Sequence, residues 1–243
     1  MKDIQLSDLL KAGAHFGHQT SRWNPKMRPY IFAVRNNIHI IDLEKTRSKL
    51  LDAMVFAKET AAKGGLVLFV ATKRQSKQAV RNAAIAAGMP YVITRWLGGT
   101  FTNFRTIQKT IKKMERYESL KATGELEKNY TKKERLMIDR ELVKMKTLFE
   151  GIKDMRKLPE AIVVFDVNYD SIALVEAQKS KVKIIGIVDT NSNPDNIDFP
   201  VPSNDDAIKA VQYIADALAD AILEGKQSFV PQASAVSTEV AKS

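Results

Sequence analysis

Leu66-Val67-Leu68-Phe69-Val70-Ala71 is an unbroken apolar run of strand length, too short for a buried helix and rich in side chains that pack on a pleated surface. Similar runs recur at Ile38–Ile41, Tyr91–Ile93, Ala161–Phe165 and Ile184–Val188. Helix-like stretches, Lys45–Ala62 and Ser76–Ala87, lie between the first three runs; Ser171–Lys179 follows the fourth and Asp205–Leu223 the fifth. Such alternation predicts an α/β protein with an open parallel sheet and helices on both of its faces.

The rhythm breaks between Asn103 and Leu158. Ile107, Ile111 and Met114 are spaced by four and three, as are Ile138, Leu142, Met145, Phe149 and Ile152, which draws a narrow apolar seam on each of two helices. Thr123 and Gly124 mark the turn, and the cations Lys109, Lys112, Lys113, Arg116, Lys132, Lys133 and Arg135 crowd the outer face. The expected architecture is a flavodoxin-like sheet domain (1–102 and 159–226) with an inserted antiparallel helical hairpin (103–158). A flexible tail (227–243) follows, because the chain there loses its apolar period.

Outward from the sheet, Ala12–Phe32 is the least regular stretch. Gly13, Gly17, Pro25 and Pro29 interrupt it, while Arg22, Lys26 and Arg28 interleave with Trp23, Met27 and Tyr30. Cations beside ring faces suit nucleic acid; the same residues also fit an ordered lid with Trp23 and Phe32 buried and the cations solvated. Charge is unevenly spread: the net value of +10 divides into +10 for residues 1–104, +7 for 105–157 and −7 for 158–243. One surface is therefore expected to face phosphate and another a different partner. The absence of cysteine excludes a disulfide framework, a thiolate nucleophile and a Cys-based zinc cluster. No run approaches the roughly 18 apolar residues of a membrane span, so a cytoplasmic, soluble protein is expected.

In parallel sheets ligands gather beyond the carboxyl ends of the strands, here Asp42, Thr72-Lys73-Arg74, Thr94-Arg95, Asp166 and Asp189. A sugar-phosphate or nucleotide enzyme with a helical lid is the rival reading of those residues. It lacks a Gly-x-Gly-x-x-Gly turn, a P-loop and a nucleophile elbow, so no catalysis is expected. His15, His18, Asp189, Asp205 and Asp206 are candidate ligands. The competing assignment for Asn204 or Asp205 is the cap of the final helix.

Ala12–Phe32 closely resembles the N-terminal signature of the bacterial small-subunit ribosomal protein two family. Further blocks resemble that family in order: Arg-Asn-Asn-Ile-His-Ile-Ile-Asp-Leu-Glu-Lys-Thr from Arg35, Leu-Phe-Val-Ala-Thr-Lys-Arg from Leu68, Arg-Trp-Leu-Gly-Gly-Thr-Phe-Thr-Asn-Phe from Arg95, and Ile-Val-Asp-Thr-Asn-Ser-Asn-Pro-Asp from Ile187. The resemblance implies a ribosomal protein with a coiled-coil protrusion, binding ribosomal RNA and contacting ribosomal protein one and other neighbours. RNA contacts are expected at Arg22, Lys26, Arg28, Lys73, Arg74, Lys77, Arg95, Arg105, Lys109, Lys112, Lys113 and Arg116, because these residues are basic and lie in the matched blocks or on the helical hairpin. No cofactor is required, but the resemblance also implies zinc on His18, Asp189 and Asp205.

Overall fold

The computed structural model describes residues 3–228. In chain order its elements are α1 (Leu6–Ala12), β1 (Phe16–Gln19), 3-10 turns at Thr20–Arg22 and Pro25–Tyr30, β2 (Ile31–Arg35), β3 (Ile38–Ile41), α2 (Leu43–Ala62), β4 (Val67–Val70), α3 (Lys77–Ala86) and β5 (Tyr91–Val92). There follow α4 (Phe104–Ala122), α5 (Glu125–Asn129), α6 (Lys132–Phe149), a 3-10 turn at Glu150–Ile152, β6 (Ala161–Val164), α7 (Ser171–Lys179), β7 (Lys183–Val188), β8 (Phe199–Pro202) and α8 (Ile208–Gln227). The expected tail lies outside the described residues from 229 on, and α8 carries the chain to Gln227.

Five strands make a parallel sheet in the order β5-β4-β6-β7-β8. Two expectations need correction here. Ile38–Ile41 is not a strand of that sheet; it is the centre of a separate antiparallel sheet, β1-β3-β2. The cause is local: only Asn36 and Asn37 join β2 to β3, both at positive φ (49° and 59°), and so short a reversal can only pair neighbours antiparallel. The fifth parallel strand is β8, concealed in the sequence by Pro200 and Pro202, which cannot donate to a ladder. It pairs only with β7, at an edge where proline is tolerated.

Side chains alternate along β4, β6 and β7, so each sheet face has its own core. Phe69, Val163, Phe165, Ile185 and Ile187 meet α1, α2, α3 and α8 on one face. Leu68, Val70, Ile162, Val164, Ile184 and Val188 meet residues of α4, α6 and α7 on the other. The helical insertion follows the predicted seam: Ile107, Ile111 and Met114 of α4 and Ile138, Leu142, Met145 and Phe149 of α6 are buried. Gly124, at φ 72°, turns the chain into the short α5, and Thr131 and Glu134 form a capping box that starts α6. Lys113–Glu141, Lys121–Asp139 and Lys146–Glu118 tie the two long helices along their exposed flanks. At its base the seam is continuous with the sheet core through Met145, Phe149 and Ile152.

The Ala12–Phe32 stretch is more ordered than its glycines and prolines suggested. Met27 is its buried anchor, Trp23 is half-buried against His39, and Phe32 is 76% exposed, so only part of the lid expectation holds. Gly17 is required by close approach: a Cβ there would lie 2.6 Å from Thr190 Cγ2 and 3.0 Å from the His39 carbonyl oxygen. The backbone N–H of His18 donates to Thr190 Oγ1 (2.8 Å) and that of Asn24 to the Thr190 carbonyl (2.7 Å). These bonds lay the N-terminal segment across the end of β7.

Candidate nucleic-acid interface and metal centre

The loops after β4, β6, β7 and β8 bring a charged cluster together at the carboxyl end of the parallel sheet. Lys73 Nζ lies 2.8 Å from Asp166 Oδ2, 2.8 Å from Asp205 Oδ1 and 2.7 Å from Asp206 Oδ1. His18, reaching in from β1, sets Nδ1 3.1 Å from Asp189 Oδ1 and Nε2 3.7 Å from Asp206 Oδ2. Asp189 is held in turn by the N–H groups of Thr190 (2.5 Å) and Asp205 (3.3 Å). Donor atoms of His18, Asp189 and Asp205 lie within 4.8 Å of one another. Asp205 does not cap α8, as one sequence reading had it. That helix begins at Ile208, and it is Asn204 Oδ1 that accepts from the N–H groups of Asp206 and Ala207 just ahead of it. Asp42 is likewise a helix cap, accepting from Glu44 and Lys45 at the start of α2.

The twelve expected RNA contacts fall into two sets. Arg22, Arg28, Arg74, Arg95, Arg105, Lys109, Lys112 and Arg116 are exposed, and among the described residues none makes an ion pair. The remaining four are engaged or partly withdrawn: Lys26 pairs with Asp195, Lys113 with Glu141, Lys77 is half-buried, and the Lys73 ammonium is enclosed by carboxylates. Lys73 thus stands as the internal counter-ion of the acidic cluster. Arg22 shares a cleft of about 360 Å³ with His18, Asp189 and Asp206, so the basic segment and the acidic cluster adjoin.

A family model described as ribosomal protein S2 matches residues 9–225, which takes in the antiparallel sheet, the helical insertion, the charged cluster and all eight exposed cations. The chain belongs to the ribosomal protein S2 family. As an S2-family protein it is a non-catalytic, RNA-binding structural component of the ribosome. The geometry agrees with that and opposes the sugar-phosphate rival. Where a parallel α/β enzyme would present phosphate donors, this S2-family chain presents Asp166, Asp189, Asp205 and Asp206, a surrounding that repels an anion. No described helix is long and apolar enough to cross a membrane.

The cluster suits a metal ion. Four carboxylates face one ammonium and one imidazole, leaving an excess of negative charge. His18 Nδ1, though close to Asp189, is buried without an aligned hydrogen-bond partner. One imidazole with carboxylates is a donor set that zinc accepts. Burial, then the charges of Asp166 and Asp189, push the Asp205 carboxyl up to about 7 against the pull of Lys73. The adjacent Asp189 carboxylate raises His18 despite its burial. Both groups therefore bind protons more tightly folded than unfolded, and the stability they contribute is present at low pH and lost as pH rises through their folded values. The melting temperature of the metal-free protein is expected to fall between about pH 5 and pH 8, and zinc, replacing protons, to flatten that fall. Calorimetry across this range with and without zinc checks it; a flat profile without zinc, or one that zinc leaves unchanged, would refute it.

Sequence reasoning named the acids at the strand ends but missed how they meet. Asp206, a candidate ligand outside the zinc set that the resemblance implies, touches both His18 and Lys73. Thr190 was not singled out at all, and Glu176 was hidden inside a helix. The latter did leave a signal: it follows Ala173 by three and precedes Ala177, so an acid stands on the apolar face of α7.

Proposed function

We propose that this chain is a structural constituent of the small ribosomal subunit that binds ribosomal RNA mainly through phosphate contacts and helps to dock ribosomal protein one, working in the cytoplasm. The observation that carries the reading is the set of eight exposed, unpaired cations inside the family match. Counting β4 as first, the parallel strand order is 2-1-3-4-5, which supports a flavodoxin-like domain. The alternating four-three seam supports a coiled-coil protrusion, with 103–158 as an insertion between 1–102 and 159–226. Zinc on His18, Asp189 and Asp205 would tie β1 to the ends of β7 and β8 and leave a position for water or for a residue of the docking protein. The acid-rich last third, unsuited to phosphate by its charge, suits that protein contact.

Replacing Lys109, Lys112 and Arg116 together by Ala tests the RNA reading on α4. All three are exposed and unpaired, and Ala is a strong helix former, so the melting temperature should stay within about 2 °C. The amount of variant sedimenting with small subunits in a lysate should drop several-fold. Unchanged incorporation, or a protein absent from the small-subunit peak even without substitution, would overturn the proposal.

A further inference from the structure

The segment Arg95–Asn103 has almost no regular structure, yet it stands between two of the exposed arginines and leads directly into α4. Its backbone is gathered onto one side chain of another element. Glu176 of α7, only 6% exposed, accepts from the N–H of Gly99 through Oε1 (2.6 Å) and from the N–H groups of Phe101 and Thr102 through Oε2 (2.9 and 3.3 Å). It has no cationic partner among the described residues. A buried carboxylate with no counter-charge is costly unless dipoles replace the lost water, and the converging amides do so. The loop closes on itself as well: Thr100 Oγ1 donates to the Leu97 carbonyl (2.6 Å), and Asn103 N–H donates to the Gly99 carbonyl (2.8 Å). Gly99 stands at φ 91°, where a side chain would be strained.

We propose that Glu176 is a positioning residue for RNA binding: by fixing the backbone of residues 99–102 it sets where Arg95 and Arg105 stand toward phosphate. The inference rests on the reading that these two arginines contact RNA, and it deepens that reading by assigning the group that organises them. Glu176 itself touches no ligand, and as an anion it would repel one. Its oxygens are taken up by the loop's own N–H groups, so it holds the backbone without pairing with either arginine among the described residues. Burial alone would push its carboxyl upward, and the N–H groups of Phe101, Gly99 and Thr102 outweigh that and hold it below the usual glutamate range. It therefore remains charged, and an acceptor, throughout the neutral range.

The test is a thermodynamic cycle on the full chain, with small-subunit ribosomal RNA transcribed in vitro as the probe. Arg95→Ala with Arg105→Ala should lower the slope of log affinity against log salt by about 2. Glu176→Gln should weaken binding about tenfold in the natural background and have no further effect once both arginines are gone. A loss of equal size in both backgrounds would make Glu176 merely structural, and no loss in either would remove its role; each result overturns the proposal. If Glu176→Gln does not fold, Gly99→Ala disturbs the same loop with the carboxylate in place and should show the same background dependence. Should the double arginine variant bind normally, the RNA reading of this loop fails, and that failure is distinct from a failure of Glu176 alone.

Discussion

Raising salt fourfold, from about 50 to about 200 mM, is expected to weaken binding of small-subunit ribosomal RNA by about three to four orders of magnitude. Each neutralised phosphate adds about 0.7 to 0.9 to the slope of log affinity against log salt, and eight exposed cations without internal partners give a slope of about −6 to −7. The count excludes Lys26, Lys73 and Lys113, whose charges are already answered by aspartate or glutamate, and Lys77, which is half-buried. A slope near zero would mean that RNA is held by something other than phosphate contacts. A slope of about −8 to −11 would mean that all twelve cations once expected to touch RNA do so, internal pairs included.

Lys73→Met is expected to destabilise the protein strongly. Among the described residues its ammonium is the one positive group within reach of Asp166, Asp205 and Asp206 together, and removing one partner of a buried charge cluster costs about 3 to 5 kcal/mol. For a chain of this size the melting temperature should fall by roughly 10 °C at pH 8. Much of the loss should be recovered near pH 5, where the carboxylates can take protons in place of the missing ammonium. Asp206→Asn, half exposed, should cost under about 1 kcal/mol by the same measurement. The salt slope of RNA binding should not change in Lys73→Met wherever the variant is folded. A melting temperature within a degree or two of the parent would show that the cluster is not held by this lysine.

The parallel strands, the helices between them and the seam of the insertion were legible because each is a periodic apolar pattern spanning several residues. β1, β2 and β8 were not: Gly17, Pro200 and Pro202 break the pattern, and these strands lie at sheet edges where hydrogen bonding outside the strand is not required. The strand Ile38–Ile41 was legible as a strand but not as a member of the right sheet, since sheet membership was decided by the two-residue turn before it. Within the site, identity was readable and pairing was not. Lys73 looked like its basic neighbour Arg74, and only the fold shows that one points into three carboxylates while the other points into solvent. Resemblance supplied His18, Asp189 and Asp205 as a set, and their convergence is a property of the ends of β1, β7 and β8 that no spacing in the chain expresses.

The distance along the chain between Lys73 and Asp205 also sets an order of events during synthesis. The two residues are 132 apart, so at translation rates of about 5 to 20 residues per second the lysine waits about 7 to 26 s for that counter-ion. Thr190, which fixes the segment around His18 and Asn24, emerges almost as late. A nascent chain therefore spends its whole elongation as a polycation with its N-terminal region unlatched. The acidic end then closes the sheet, neutralises its core and locks the basic segment in place within its last few dozen residues. A product that stopped before the final third would carry all eight exposed cations but lack Asp166, Glu176, Thr190, Asp205 and Asp206, and with them β7, β8 and α8.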